Sequence, residues 1–320
     1  MGGKHNNEQG KHMGDKIGVV GLGNMGLPIA VRLLAGGHRV IGCDTREEPR
    51  QAFAAAGGQW AASPRDVADQ CAIVMVSLPT PAAVEAVALG PDGLVHGREM
   101  RLYADLSTTG PQMAKKVAEQ LALNNVVAMD APVSGGVAGC EQGTLAVMVS
   151  GPRAGFERIE SLLACFGSNI FYVGAEPGMG HLMKLINNLL STTALAATFE
   201  ALTVGVKAGL DPQTMLDVLR VSSGTNHAIE NKIPRYVLPN VPIGFSLDLS
   251  YKDVTLCVEA GEALQVPMRM GRTTAQIWHH AICKGGPKQD YLQVVKLFED
   301  WGGVKWTGAP LSSLHEQERR

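Results

Sequence analysis

Paired cysteines, long apolar runs and clustered charge are all scarce in this chain. Its 320 residues hold six cysteines, Cys43, Cys71, Cys140, Cys165, Cys257 and Cys283, scattered without a Cys-x-x-Cys step. That spacing argues against a disulfide framework and a thiolate zinc site, and fits reduced thiols in a cytosol. No segment reaches the roughly 18 consecutive apolar residues that a membrane-spanning helix needs, so the expectation is a soluble, cytoplasmic protein with no membrane partner. Charged residues make up 18% and the formal net charge is -2. No basic face is therefore implied, and no nucleic-acid partner. His181 and the His279-His280 pair lack His-Glu-x-x-His spacing and an accompanying carboxylate cluster. They are read as solvated or packed imidazoles, with no metal expected. What is left is a small-molecule partner and a length that suits two domains.

What is present is a strand-turn-helix pattern. Lys16 to Val20 is a short apolar strand, Gly21-Leu-Gly-Asn-Met-Gly26 a turn, and Leu27 to Ala35 a helix stopped by Gly36-Gly37. His38 to Asp44 supplies a second strand, which completes a β-α-β unit. Apolar runs recur at 72–78, 101–106, 126–130 and 145–150, the first two on either side of Ala-rich helical stretches. Alternating strands and helices, with strands apolar on both faces, predict a doubly wound α/β domain built on a parallel sheet. Beyond Gly174 the composition shifts. Leu182 to Gly209 reads as one long helix, Asp211-Pro as a helix cap, and 245–265 and 268–284 as further helices, so the second half is all-α. The expected division is a loose tail or tag over 1–14 without a secretory signal, a dinucleotide domain over 15–177, a helical substrate and dimerisation domain over 178–308 joined by the long helix, and a loose tail over 309–320.

In Gly21-x-Gly23-x-x-Gly26 the first glycine allows a tight turn, the second lets the backbone approach a pyrophosphate, and the third permits close helix packing. The helix N-terminus then faces phosphate. Such a signature gains specificity from its context: it follows the first strand, and Asp44 ends the next, where a carboxylate accepts from ribose hydroxyls. Gly21, Leu22, Gly23, Asn24, Met25, Gly26 and Asp44 are thus the expected cofactor residues. Leu78, Pro79 and Thr108 join them at strand ends that open on the dinucleotide crevice. A carboxylate at 44 repels a 2′-phosphate, so NAD is favoured over NADP; Arg46 is either a solvated charge or the partner of that phosphate.

The glycine signature with Asn-Met inside it, Asp130-Ala-Pro-Val-Ser-Gly-Gly136, Gly178-Met-Gly-His-Leu-Met-Lys-Leu-Ile-Asn-Asn188 and Tyr251-Lys-Asp253 occur in that order. Together they make the sequence resemble the β-hydroxyacid dehydrogenases over roughly Lys16 to Gly303. The resemblance implies a Rossmann domain, an interdomain helix, a helical domain, and assembly as a homodimer or homotetramer. It implies that Ser134, Gly135 and Gly136 hold a substrate carboxylate, a task for which a hydroxyl and two unobstructed amides are suited. It implies that Lys184 is catalytic, that Asn188 holds the substrate and that Lys252 lies near the nicotinamide. Lys184 and Asn188 are four apart, hence on one helix face, among the apolar Leu182, Met183, Leu185 and Ile186. A lysine buried there needs a partner or a task. Ser223, Phe245 and Asp248 are candidates to line the substrate pocket. The leading expectation is hydride exchange between a nicotinamide and a small β-hydroxy acid or its semialdehyde, with Lys184 as general acid and base. The alternatives are an oxidative decarboxylase, an imine reductase, or a non-catalytic NAD-binding scaffold on the same fold.

Overall fold

The computed structural model describes residues 16–307, so the tails expected over 1–14 and 309–320 lie outside the described residues. Two compact units part between His181 and Leu182.

The first unit is built on a nine-stranded sheet. Its strands are β1 (Lys16–Val20), β2 (Arg39–Cys43), β3 (Gln59–Trp60), β4 (Ile73–Val76), β5 (Leu102–Asp105), β6 (Val127–Asp130), β7 (Val133–Ser134), β8 (Leu145–Ser150) and β9 (Gly167–Gly174). The run β3-β2-β1-β4-β5-β6 is parallel throughout. Strand side chains alternate between faces, and here each face has its own core. Ile17, Val19, Ile73, Met75, Leu102 and Ala104 enter one cluster; Val20, Val74, Val76 and Tyr103 enter the other. Burial on both faces is why these strands read as unbroken apolar runs, and the doubly wound α/β fold follows from it. The expected doubly wound parallel sheet carries an antiparallel edge, where β8 runs antiparallel to β6 and β7 while β9 is parallel to β8. The sequence reading missed β3 and β7, two residues each, and β9, whose Phe171 is exposed. Segments that short, or half open to solvent, leave no alternating pattern to detect.

The second unit is helical. The helix Met179–Lys207 continues into it, and Pro212–Arg220 follows with Asp211 as cap, its Oδ2 accepting from Thr214 N at 2.7 Å. Leu247–Ala263, Arg269–Gly285 and Val295–Gly302 complete the α-helices. Between them Ala228–Val237 winds as a wide helix with hydrogen bonds five residues apart, such as Leu238 N to Ile233 O at 2.9 Å. By length and composition Met179–Lys207 is also apolar enough to cross a membrane. Its Leu195, Phe199 and Leu202, however, pack in a core with Trp278, Phe298 and Trp306, and Lys184, Thr192, Thr198 and Thr203 are buried along it.

Candidate active site

In an open parallel sheet the ligand crevice lies beyond the strand C-termini where the strand order reverses, here between β1 and β4. The turn after β1 and the turn after β4 meet at that point. Gly21 has φ +89°, and a Cβ there would stand 2.3 Å from Ser77 O; a Cβ on Gly26 would stand 1.8 Å from Gly21 O. The chain itself therefore demands glycine at both positions. Gly23 differs, since a Cβ there would meet only an Arg46 nitrogen at 3.4 Å. Its bareness leaves space beside the first turn of the helix Gly26–Ala35, which is what the pyrophosphate of a dinucleotide requires. The residues present fit that group. Asn24 and Met25 complete the turn. Leu78 N donates to Ser107 Oγ at 2.9 Å, which fixes the second turn, and Pro79 follows it. Thr108 sits beyond β5.

Asp44 follows β2 with its side chain 7% exposed. Its Oδ2 accepts from Leu22 N at 2.7 Å, and its Oδ1 accepts from Arg46 N at 2.9 Å and from Arg46 Nε at 3.1 Å. Burial alone would raise its pKa, but the hydrogen bonds from Arg46 and Leu22 outweigh it and hold the carboxyl below its ordinary value. Arg46 is a solvent-exposed surface charge, as one of its two readings had it, and its guanidinium is paired with Asp44.

The motifs around Asp130 and Gly178, distant in sequence, are physically one structure. Asp130 at the end of β6 accepts through Oδ2 from Ser150 Oγ (2.7 Å), Gly178 N (2.7 Å) and Gly180 N (3.2 Å). A carboxylate on the free amides at a helix start is favourable, so this contact seats the long helix. His181, fully buried, lies 3.5 Å from Asp105 Oδ2 and 3.7 Å from Asp130 Oδ1. It is a packed imidazole between two carboxylates. Ser134 ends β7, and Gly135 and Gly136 have φ +134° and +67° as the chain turns into the helix Gly136–Glu141.

The titratable cluster of the second unit is built on the long helix. Lys184 is 8% exposed; desolvation pushes its ammonium down to about 8, against Asp253, which raises it, and with Lys252, which lowers it further. Asn188 Nδ2 donates to Asp253 Oδ2 at 2.6 Å, and Lys252 Nζ stands 2.9 Å from Asp253 Oδ1. The structure thus brings Lys184, Asn188 and Lys252 together around one buried carboxylate. Such an arrangement holds a buried lysine with its pKa lowered to about 8, in the range where a side chain can both take and give a proton. Of the three suggested pocket residues, Ser223 is exposed, Asp248 bonds Lys288 at 2.6 Å, and Phe245 packs edge-on against Tyr291.

Residues 16–174 match the family model described as the NAD binding domain of 6-phosphogluconate dehydrogenase. Residues 178–298 match that described as NAD-binding of NADP-dependent 3-hydroxyisobutyrate dehydrogenase. A 3-hydroxyisobutyrate dehydrogenase of Pseudomonas aeruginosa is 40% identical over 80% of this chain and 88% of its own length. The chain belongs to the β-hydroxyacid dehydrogenase family. A 2-(hydroxymethyl)glutarate dehydrogenase of Eubacterium barkeri is 37% identical, over 92% of this chain and 98% of the relative. The structure of a Mycobacterium tuberculosis 3-hydroxyisobutyrate dehydrogenase with L-serine superimposes with a TM-score of 0.80 at 29% identity, covering 89% of this chain and 99% of that one. As a member of that family the protein is a nicotinamide-dependent dehydrogenase.

Sequence reasoning missed four polar participants. Asp105, Asp130 and Asp253 are each 3–4% exposed, and Lys232 is 8% exposed. Asp130 and Asp253 stand inside the quoted motifs, and Asp105 at a strand end, so position could have flagged them. Nothing local marks Lys232, because its burial depends on the wide helix that carries it.

Proposed function

We propose that the protein oxidises a small β-hydroxy acid to its semialdehyde, reversibly, with Lys184 as general base and, in the reverse direction, general acid. The observation that carries this reading is the buried Lys184, its pKa lowered to about 8 beside the Asn188–Asp253 pair. The nicotinamide of a dinucleotide held by the glycine turn and the turn after β4 would supply the hydride acceptor. Gly21 to Gly26 and Asp44 hold the dinucleotide, with Leu78, Pro79, Thr108 and Lys252. Ser134, Gly135 and Gly136 receive the substrate carboxylate, and Asn188 orients the hydroxyl-bearing end. Lys184 Nζ accepts the hydroxyl proton as the C–H bond is broken, and returns it to the carbonyl oxygen in reduction. NAD is the favoured cofactor, because the carboxylate at 44 repels a 2′-phosphate and already holds the Arg46 guanidinium. A cytoplasmic homodimer or homotetramer is the working form.

The relatives' names span monoacid and diacid substrates, so the test is a spectrophotometric screen of β-hydroxy acids and semialdehydes against NAD and NADP. Turnover of at least one β-hydroxy acid, faster with NAD, is the expected result. Silence across the panel, with cofactor binding retained, would favour the scaffold alternative.

A further inference from the structure

Lys232 is the second buried lysine of the helical unit, and nothing in the proton-transfer chemistry uses it. Its Nζ donates to Ser191 Oγ at 2.7 Å and lies 5.3 Å from the centroid of the Tyr291 ring. Lys184, Asn188 and Ser191 are spaced four and three residues apart, so they share one face of the long helix. Lys232 thereby reaches the face that carries Lys184, and the two charges act on each other: desolvation, then the Lys184 charge, push the Lys232 ammonium down to about 8. No ion pair involves Lys232 among the described residues. Lys184 and Lys252 act on one carboxylate, Asp253, which Asn188 also engages, whereas Lys232 is coupled to the Lys184 charge and not to that carboxylate. A buried ammonium without a counter-charge is costly to maintain. The backbone that delivers it is itself uncommon: extended wide helices are rare and cluster at functional sites, and this one runs ten residues, Ala228–Val237, with Pro234 inside.

We propose that Lys232 is the specificity determinant for a second acidic group, so that the physiological substrate is a β-hydroxy acid carrying two carboxylates. One carboxylate belongs to the hydroxy acid itself; the second supplies the counter-charge that Lys232 lacks. Ser191 holds the ammonium in place, and the Tyr291 face shields it from water. This inference rests on the dehydrogenase reading given above.

The test compares wild type, Lys232→Met and Lys232→Gln as full chains, each checked for folding by circular dichroism. Steady-state kinetics are run with 2-(hydroxymethyl)glutarate as diacid and 3-hydroxyisobutyrate as monoacid. Calorimetric titration with glutarate, in the presence of NAD, reports binding without turnover. The wild type should favour the diacid. Lys232→Met should lower the ratio of diacid to monoacid kcat/KM by about 10- to 100-fold, mainly through the diacid KM, which is the range for a lost charge-assisted hydrogen bond. Glutarate affinity should fall in parallel. Lys232→Gln separates charge from packing and should lose the preference equally. A ratio unchanged by both variants, or glutarate binding wild type and variants alike, overturns the inference even if hydroxy acids are oxidised. If neither acid is oxidised but glutarate binding still depends on Lys232, the anion site stands and the dehydrogenase reading fails.

Discussion

Replacing Lys184 by methionine should make the protein more stable while removing its chemistry. The ammonium titrates near 10.5 when solvated and near 8 when folded, chiefly because it is desolvated. Each pKa unit is worth about 1.4 kcal/mol, so keeping the folded side chain protonated costs about 3 kcal/mol at pH 7. The sign follows from proton counts. Between pH 8 and 10.5 the unfolded chain binds more protons at this site than the folded one, so stability rises with pH across that window. The Lys184 contribution is thus at its best above the unfolded pKa and is lost as pH falls toward 8. Methionine removes the penalty and fills similar volume. The variant should exceed the wild type by about 3 kcal/mol at pH 7, the margin shrinking to about 1 kcal/mol by pH 10. Asp253 is not orphaned, since Asn188 and Lys252 remain on it. Urea unfolding followed by tryptophan fluorescence suits the question, because Trp278, Trp301 and Trp306 all lie in the unit that holds Lys184. Destabilisation at pH 7, or a margin that does not change between pH 7 and 10, would refute the buried-charge argument.

Asp44→Ala should narrow the preference for NAD, because it removes the ribose acceptor and frees Arg46 to meet a 2′-phosphate; kcat/KM for both cofactors checks this, and a wild type that already favours NADP would contradict it. Gly136→Ala should raise substrate KM at a stability cost of about 1 kcal/mol; a Cβ there meets nothing within 4 Å but must adopt φ +67°. It is a cleaner probe than Gly135→Val, whose Cβ would stand 2.8 Å from a Leu145 methyl. Asp130→Ala should destabilise by about 3 kcal/mol, since the Ser150 hydroxyl and the Gly178 amide lose their acceptor, while Gly180 N keeps Ser150 Oγ. Thermal unfolding measures it, and a change within experimental error would mean that Asp130 does not seat that helix.

Much of the fold was legible because its signals are local. The glycine turn, the apolar runs of β1, β4 and β5, and the Asp211-Pro cap each carry their physics within a few residues. The parallel part of the sheet followed from strands apolar on both faces. The antiparallel edge did not, because β7 is too short to show a period and its pairing with β8 depends on the turn between them. At the site, Lys184 and Asn188 were legible as a four-residue step among apolar neighbours. Their shared partner Asp253 is 65 residues away from Asn188, and nothing in the sequence says that the two segments meet. Lys232 illustrates the same limit: its reach to Ser191 spans 41 residues. The Asp44–Arg46 pair was within sequence range, yet a guanidinium two residues on serves the Asp44 carboxylate or a 2′-phosphate equally well until its geometry is seen.

The most direct measurement follows deuterium from the C3-deuterated β-hydroxy acid to the nicotinamide by mass spectrometry, in wild type and in Lys184→Ala, across pH. The wild type should yield deuterated reduced cofactor at a rate that rises with pH through an ionisation near 8. Lys184→Ala should bind cofactor normally, transfer deuterium about 10²- to 10⁴-fold more slowly, and show no such ionisation. Near-normal transfer by the folded alanine variant, with the same pH dependence, would contradict the account and place the proton on another group.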